Sequence, residues 1–147
     1  MSHIEQIPPY LTWQIRHQVM YPELDFDGVI LPNDDDGVHL GLFDQNTLIS
    51  VVSLFKKGFS MQFRKFATIV EYQNKGYGSE LLHYLTEYAK NENCNHIWCN
   101  ARSNASPFYA KFGFAETGQT SSANGHDYVI MEKQFPVHAR RHDGLIS

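Results

Sequence analysis

Gln73, Gly76 and Gly78 stand in the run Thr68-Ile69-Val70-Glu71-Tyr72-Gln73-Asn74-Lys75-Gly76-Tyr77-Gly78-Ser79. That spacing suits one kind of chemistry, the holding of an anion by backbone amides. The first N–H groups of an α-helix have no partner inside the helix and the dipole is positive there, so a phosphate is the natural ligand. Glycine has no Cβ to keep such a ligand away, and Lys75 adds a charge beside the two glycines. The elements that must present this run are legible on either side of it. Phe66 to Val70 form a strand-like apolar run, and Tyr77, Leu81, Leu85 and Tyr88, with Leu82 and Ala89 alongside, recur at helical spacing. Strand, glycine turn and helix follow one another without interruption.

Spacing separates the nucleotide motifs that share this outline. A P-loop needs Gly-x-x-x-x-Gly-Lys-Ser/Thr, whereas here Lys75 precedes the glycines. A dinucleotide fingerprint needs a third glycine where Leu81 stands. The pattern that fits is Gln/Arg-x-x-Gly-x-Gly. A second stretch, Ala105-Ser106-Pro107-Phe108-Tyr109-Ala110-Lys111-Phe112-Gly113-Phe114, has the form Ala-x-x-x-Tyr-x-x-x-Gly-Phe. With both motifs in this order, the chain from about Val38 to Phe135 resembles the GNAT superfamily of N-acetyltransferases, and Leu11 to Gly37 resembles it more weakly.

The resemblance implies an α/β fold: a mixed, mostly antiparallel sheet of six to seven strands, helices on both faces, and a splay between the fourth and fifth strands that admits acetyl-coenzyme A. It implies that Gln73, Asn74, Lys75, Gly76, Tyr77, Gly78 and Ser79 cradle the pyrophosphate. Backbone groups of Phe66, Ala67 and Thr68 would hold the pantetheine arm and the thioester carbonyl, in the manner of an oxyanion hole. Asn104 and Phe108 would complete the coenzyme contacts. Many relatives carry Asn seven residues before the motif tyrosine, where this chain has Arg102, so Asn104 or Arg102 would take over that contact. Tyr109 is the general acid of this reading, because a phenol with pKa about 10 stays protonated at neutral pH and can reprotonate a thiolate.

Transfer to an amine also needs a base, since an amine near pKa 10 is mostly protonated at pH 7. Where some relatives carry a glutamate on the fourth strand, this chain has Gln62 and Arg64. Glu71, His39, His126 and water leading to solvent are the remaining candidates. From Pro22 to Gly37 there are six acidic residues and no Lys or Arg, which reads either as a solvated connection or as an entrance attracting a cationic amine.

Composition bounds the alternatives. The 147 residues carry a net charge of −4, which argues against general nucleic-acid binding and disfavours an enzyme acting on aminoacyl-tRNA. No run of about 18 apolar residues and no leader pattern occurs, so the chain reads as cytoplasmic with no membrane partner. Cys94 and Cys99 are too few for a disulfide framework and read as free thiols. The eight histidines are scattered, only His138 and His142 being four apart, and no metal is expected. One acetyltransferase domain over residues 1–135 and a mobile tail over 136–147 are expected. A noncatalytic acyl-coenzyme A sensor is the competing class. The acceptor, a small molecule or a peptide or protein, is unspecified, and the oligomeric state is open, a homodimer included.

The remaining elements follow in order. Pro8 and Pro9 suit a helix start, and Leu11, Ile15 and Val19 recur every fourth residue until Pro22. Val38 to Phe43, a turn at Asp44-Gln45-Asn46, and Leu48 to Phe55 predict a hairpin whose second strand is apolar on both faces. In the next strand the alternation slips at Lys65, as a β-bulge would require. Ile97 to Ala101 predict a strand, Ser103 or Asn104 a cap for a short helix through Lys111, Gln119 to Gly125 a polar loop, and Tyr128 to Met131 the last strand.

Overall fold

A computed structural model describes residues 1–136. The tail from residue 137 on, with His138 and His142, lies outside the described residues. Seven strands form one mixed sheet in the order β1-β2-β3-β4-β5-β7-β6. They are β1 (Ser2–Ile7), β2 (Val38–Asp44), β3 (Thr47–Lys57), β4 (Ser60–Thr68), β5 (His96–Arg102), β6 (Ala115–Ala123) and β7 (His126–Gln134). β4 and β5 run parallel, with Ser60, Met61 and Gln62 opposite His96, Ile97 and Trp98. The other described pairings are antiparallel. The helix α2 (Tyr77–Asn91) lies between β4 and β5 in sequence, as a parallel crossover requires.

The chain separates into two compact units, Met1–Lys56 with Phe63–Tyr88, and Lys57–Gln62 with the chain from Ala89 on. In the first unit Ile7, Ile15, Val51 and Ala67 form a buried cluster, against which Val19, Met20, Phe43, Leu48 and Ile69 pack. Ile7, Ile15 and Val51, withdrawn from water, contribute roughly 1.5–3 kcal/mol each. β3 is buried at every position from Ile49 to Leu54, as an apolar run on both faces requires. Gln45 and Asn46, both at positive φ (49° and 67°), make the two-residue turn from β2 into β3 that the strand twist favours. In the second unit Cys99 pairs with Met131 and Ala101 with Val129, and all four are buried.

Three elements differ from the sequence reading. Ser2–Ile7 forms an edge strand that was unforeseen: it buries only Ile7, so it shows no clean alternation, and β2 supplies its partner. Ala115–Ala123 is a strand where a polar loop was expected from Gln119 on. It is an outer strand exposed almost throughout, so its residues lack an apolar face, and backbone pairing with β7 defines it. The first helix α1 (Tyr10–Ile15) continues as one π-helical stretch, Arg16–Met20, before the chain turns at Tyr21.

Candidate active site

The end of β4 enters the glycine loop through a chain of hydrogen bonds. Lys65, the position of the pattern slip, takes a left-handed conformation (φ 57°) inside the strand. Beyond it, Ser50 of β3, fully buried, donates to the Ala67 carbonyl (3.2 Å) and shares a 2.8 Å hydrogen bond with the Thr68 hydroxyl. Since the Ser50 proton is given to Ala67, Thr68 is the donor to Ser50. The Gln73 side-chain amide donates to the Thr68 carbonyl at 2.8 Å, which ties the first motif residue back to the strand it follows. The Ile69 amide donates to the Ile49 carbonyl (2.9 Å). Ser50 carries no motif signal, and only the pairing of β3 with β4 reveals it.

The loop then turns left-handed twice, at Asn74 (φ 62°) and Gly76 (φ 90°). The Gly76 carbonyl accepts from the Glu80 amide at 3.0 Å, so Gly76 caps α2. A Cβ placed on Gly76 would meet no atom within 4 Å. The glycine therefore faces open space, and it is the backbone angle that favours glycine there. Gly78 differs: it lies in the first turn of α2 with Tyr77 and Ser79, where its φ is not positive. Lys75 sits with its Nζ 5.8 Å from the centre of the Tyr72 ring, and Tyr72 meets Tyr77 edge-on at 6.1 Å.

In the second unit, Tyr109 belongs to the short helix α3 (Ser106–Ala110) and is buried among aromatic rings, Phe108 at 5.2 Å and Phe114 at 6.0 Å. Burial, and secondarily the neighbouring Cys99, hold its phenol well above the ordinary tyrosine range. Burial alone pushes the Cys99 thiol up to about 12. Phe108 also packs on Phe112 (5.4 Å). Asn104 lies in the 3-10 turn Ser103–Ala105, and Arg102 ends β5. The expected side-chain cap is not formed: Ala105 precedes α3, whose start is fixed by Pro107. Gly113 (φ 89°) closes the helix as expected, and Lys133 donates to the Phe112 carbonyl beside it at 2.7 Å.

The candidate bases are placed unequally. Glu71 is exposed in the turn Val70–Tyr72, and His126 opens β7 with its ring 6.4 Å from Tyr128. His39 is 1% exposed and both ring nitrogens are engaged, Nε2 with the Asp34 carbonyl and Nδ1 with Ser53 Oγ, each at 2.7 Å. A carbonyl only accepts, so the ring proton sits on Nε2. Asp34 belongs to the acidic stretch read either as a solvated connection or as an entrance for a cationic amine, and it is instead 3% exposed. Both of its oxygens are held at 2.9 Å by Arg16, itself fully buried, and Trp13 (3.1 Å) and the Leu31 amide (3.0 Å) add further donors. Arg16 also donates to Ser53 (2.8 Å) and to the Val29 carbonyl (2.9 Å). Burial pushes the Asp34 carboxyl upward, but Arg16 and the Leu31 amide outweigh it and hold the group below the usual carboxylate range. Asp35 and Asp36 remain exposed.

The family model for the acetyltransferase (GNAT) domain matches residues 17–135. The chain belongs to the GNAT acetyltransferase family. Among curated relatives, the uncharacterized N-acetyltransferase YitI of Bacillus subtilis is 27% identical over 143 residues, covering 90% of this chain and 96% of that protein. Among solved structures, the ribosomal-protein-S18-alanine N-acetyltransferase from Escherichia coli superposes with a TM-score of 0.76 at 16% identity, over 94% of this chain and 96% of that one. A GNAT family acetyltransferase from Elizabethkingia anophelis, solved with acetyl-CoA bound, superposes with a TM-score of 0.70 at 17% identity, over 91% and 98%. Identities this low establish the fold alone, while the family match makes this GNAT chain an N-acetyltransferase. Among the described residues no helix is long and apolar enough to cross a membrane, and no three His, Cys, Asp or Glu side chains are grouped to hold a metal.

Proposed function

We propose that this chain moves the acetyl group of acetyl-coenzyme A directly to an amine of a small molecule or of a peptide or protein, in the cytoplasm. The observation that carries the coenzyme half is the left-handed turn at Asn74 and Gly76, opening into α2 with vacant space where a Gly76 Cβ would project. Asn74 to Ser79 fit a pyrophosphate, with Lys75 supplying charge. Phe66 to Thr68, braced from behind by Ser50, supply backbone groups for the arm and the thioester carbonyl.

The neutral amine nitrogen attacks the thioester carbon. A C–N bond forms, the C–S bond breaks, and the proton lost by the amine passes to water. Engagement of both His39 ring nitrogens takes that histidine out of the base role. The tyrosine motif supports Tyr109 as the group that serves the departing sulfur. With its phenol held above the ordinary range, full transfer to a thiolate near pKa 8.5 is uphill. Tyr109 therefore acts mainly as a hydrogen-bond donor to the developing thiolate, and solvent completes the protonation.

The test is a library of amines screened for thiol release, with mass spectrometry of the product. Transfer is expected for a subset, and Tyr109→Phe should lower kcat by about 10²-fold while acetyl-coenzyme A affinity holds. Tight coenzyme binding with no thiol release from any amine would instead make the chain a sensor.

A further inference from the structure

Lys65 is the one residue of β4 at positive φ, and it is not glycine. A lysine in the left-handed region within a strand is strained, and such strain persists where the surroundings over-determine it, often at a functional site. Here the side chain crosses to Tyr21, at the end of the π-helical stretch. Its Nζ lies 4.6 Å from the centre of the Tyr21 ring and donates to the Tyr21 hydroxyl at 2.8 Å. Tyr21 is 7% exposed, so the ammonium is held in a defined place rather than waving in solvent.

That place has a chemical consequence. On the acetyl-transfer reading above, on which this inference rests, Phe66 to Thr68 hold the arm and the thioester carbonyl, so Lys65 is the next residue beyond the acyl end. Tyr21 immediately precedes the acidic segment from Pro22 to Gly37, which reads either as a solvated connection or as an entrance attracting a cationic amine. Asp34 no longer contributes to that field, because its charge is neutralised by Arg16. We infer that Lys65, seated over Tyr21 at the bulge of β4, recognises a carboxylate on the acceptor, which makes the substrates free amino acids or peptides with a carboxylate near the reacting amine. A fixed ammonium pairs strongly with a carboxylate through charge-assisted hydrogen bonds. It also disfavours the protonated form of a nearby amine, and attack needs the neutral form. Polycationic amines are the class it selects against.

The experiment compares each free amino acid with its own carboxamide as acceptor, following thiol release at fixed acetyl-coenzyme A. The wild type should prefer the acid by at least about tenfold in kcat/KM, the scale of one charge-assisted contact. Lys65→Met keeps an unbranched side chain without the charge, and Lys65→Gly relaxes the backbone, yet both should bring the acid-to-amide ratio towards one. Coenzyme affinity, measured by calorimetry on each variant, separates this from damage to the arm site. A wild-type ratio near one, or a ratio kept in folded Lys65→Met, overturns the inference and leaves acetyl transfer standing. Without turnover of any acceptor, acetyl transfer itself fails. The inference is then read from calorimetry of the N-acetyl amino acids and their amides on the coenzyme A complex: the acids should bind at least tenfold tighter, and equal affinity overturns it.

Discussion

The glycine loop and the Arg16–Asp34 cluster belong to the same unit, and both are polar segments next to turns, yet they are built on opposite terms. In the loop the polar groups face outward. Gln73, Asn74, Lys75 and Gly76 are exposed, two residues take left-handed angles, and the Gly76 Cβ position opens on empty space. In the cluster Arg16, Asp34, His39 and Ser53 are almost wholly withdrawn from solvent and hydrogen-bond to one another, with the Arg16 Nε left without a hydrogen bond. The contrast separates charge left at the surface from charge consumed by the fold. A run of three aspartates, Asp34 to Asp36, contains both kinds of surface, one residue turned in and two turned out.

The largest effect is expected from breaking the buried pair. Arg16→Met should cost about 3–5 kcal/mol, because it leaves Asp34 charged and uncompensated, whereas adding Asp34→Leu should recover much of the loss. Chemical denaturation at neutral pH measures both. The sign with pH is sharper still. In the wild type the Asp34 carboxyl lies below its unfolded value near 3.9, so its stabilisation is present above that value and is lost as pH falls through the folded one. In Arg16→Met burial, the largest cause, is opposed only by the Leu31 amide and Trp13, so the carboxyl should rise from its wild-type position and acidification should cost that variant less than it costs the wild type. Parallel acid profiles for the two proteins would mean that the pair is not what holds Asp34.

On the loop side, Gly76→Val forces a β-branched residue to φ 90° and fills the open space, so coenzyme affinity should fall at least about a hundredfold, with up to roughly 1–3 kcal/mol of strain in stability. Gly78→Ala divides these effects. At a helical φ the alanine should raise stability by up to about 1 kcal/mol while its methyl crowds the phosphate and weakens binding. Equal coenzyme affinity in both variants and wild type, by calorimetry, would remove the pyrophosphate assignment.

The second unit offers a buried pair of acids, Cys99 and Tyr109, both raised chiefly by burial. Cys99 is raised from 9.0 to about 12, and Tyr109 is raised from 10.0. Well below pH 9 both are protonated folded and unfolded alike. Above it the unfolded chain ionises first, so stability should fall by about 1.4 kcal/mol per pH unit for Cys99, with Tyr109 adding its own slope above pH 10. Cys99→Ala should flatten the profile between pH 9 and 10 and leave it unchanged at pH 7 to 8. The smallest effect belongs to the exposed aspartates: Asp35→Asn with Asp36→Asn should shift stability by no more than about 0.5 kcal/mol. A loss comparable to that of Arg16→Met would erase the distinction between the inward and outward members of the run.

How much of this was legible depends on whether the signal is local. The loop, the turn before β3 and the slip at Lys65 were readable because each is a constraint within a few residues: a missing Cβ, a required positive φ, a broken alternation. The edge strand Ser2–Ile7 and the exposed strand Ala115–Ala123 were not, since strands with no buried face show little alternation and are defined by pairing with β2 and β7. The same holds for the site. Gln73 was visible as a motif residue, but its bond to the Thr68 carbonyl and the Ser50 brace behind it were not.

The amino-acid sequence by itself determined the family, the strand–turn–helix that presents the loop, and the tyrosine motif, because these rest on residue type at fixed short spacing. The tertiary structure decided which charges are spent internally and which stay in reach of a ligand. Arg16 is 18 residues from Asp34 and 37 from Ser53, and Lys65 is 44 from Tyr21. No local pattern foretells such partners, since desolvation and hydrogen bonding act on distance in space and are blind to separation along the chain.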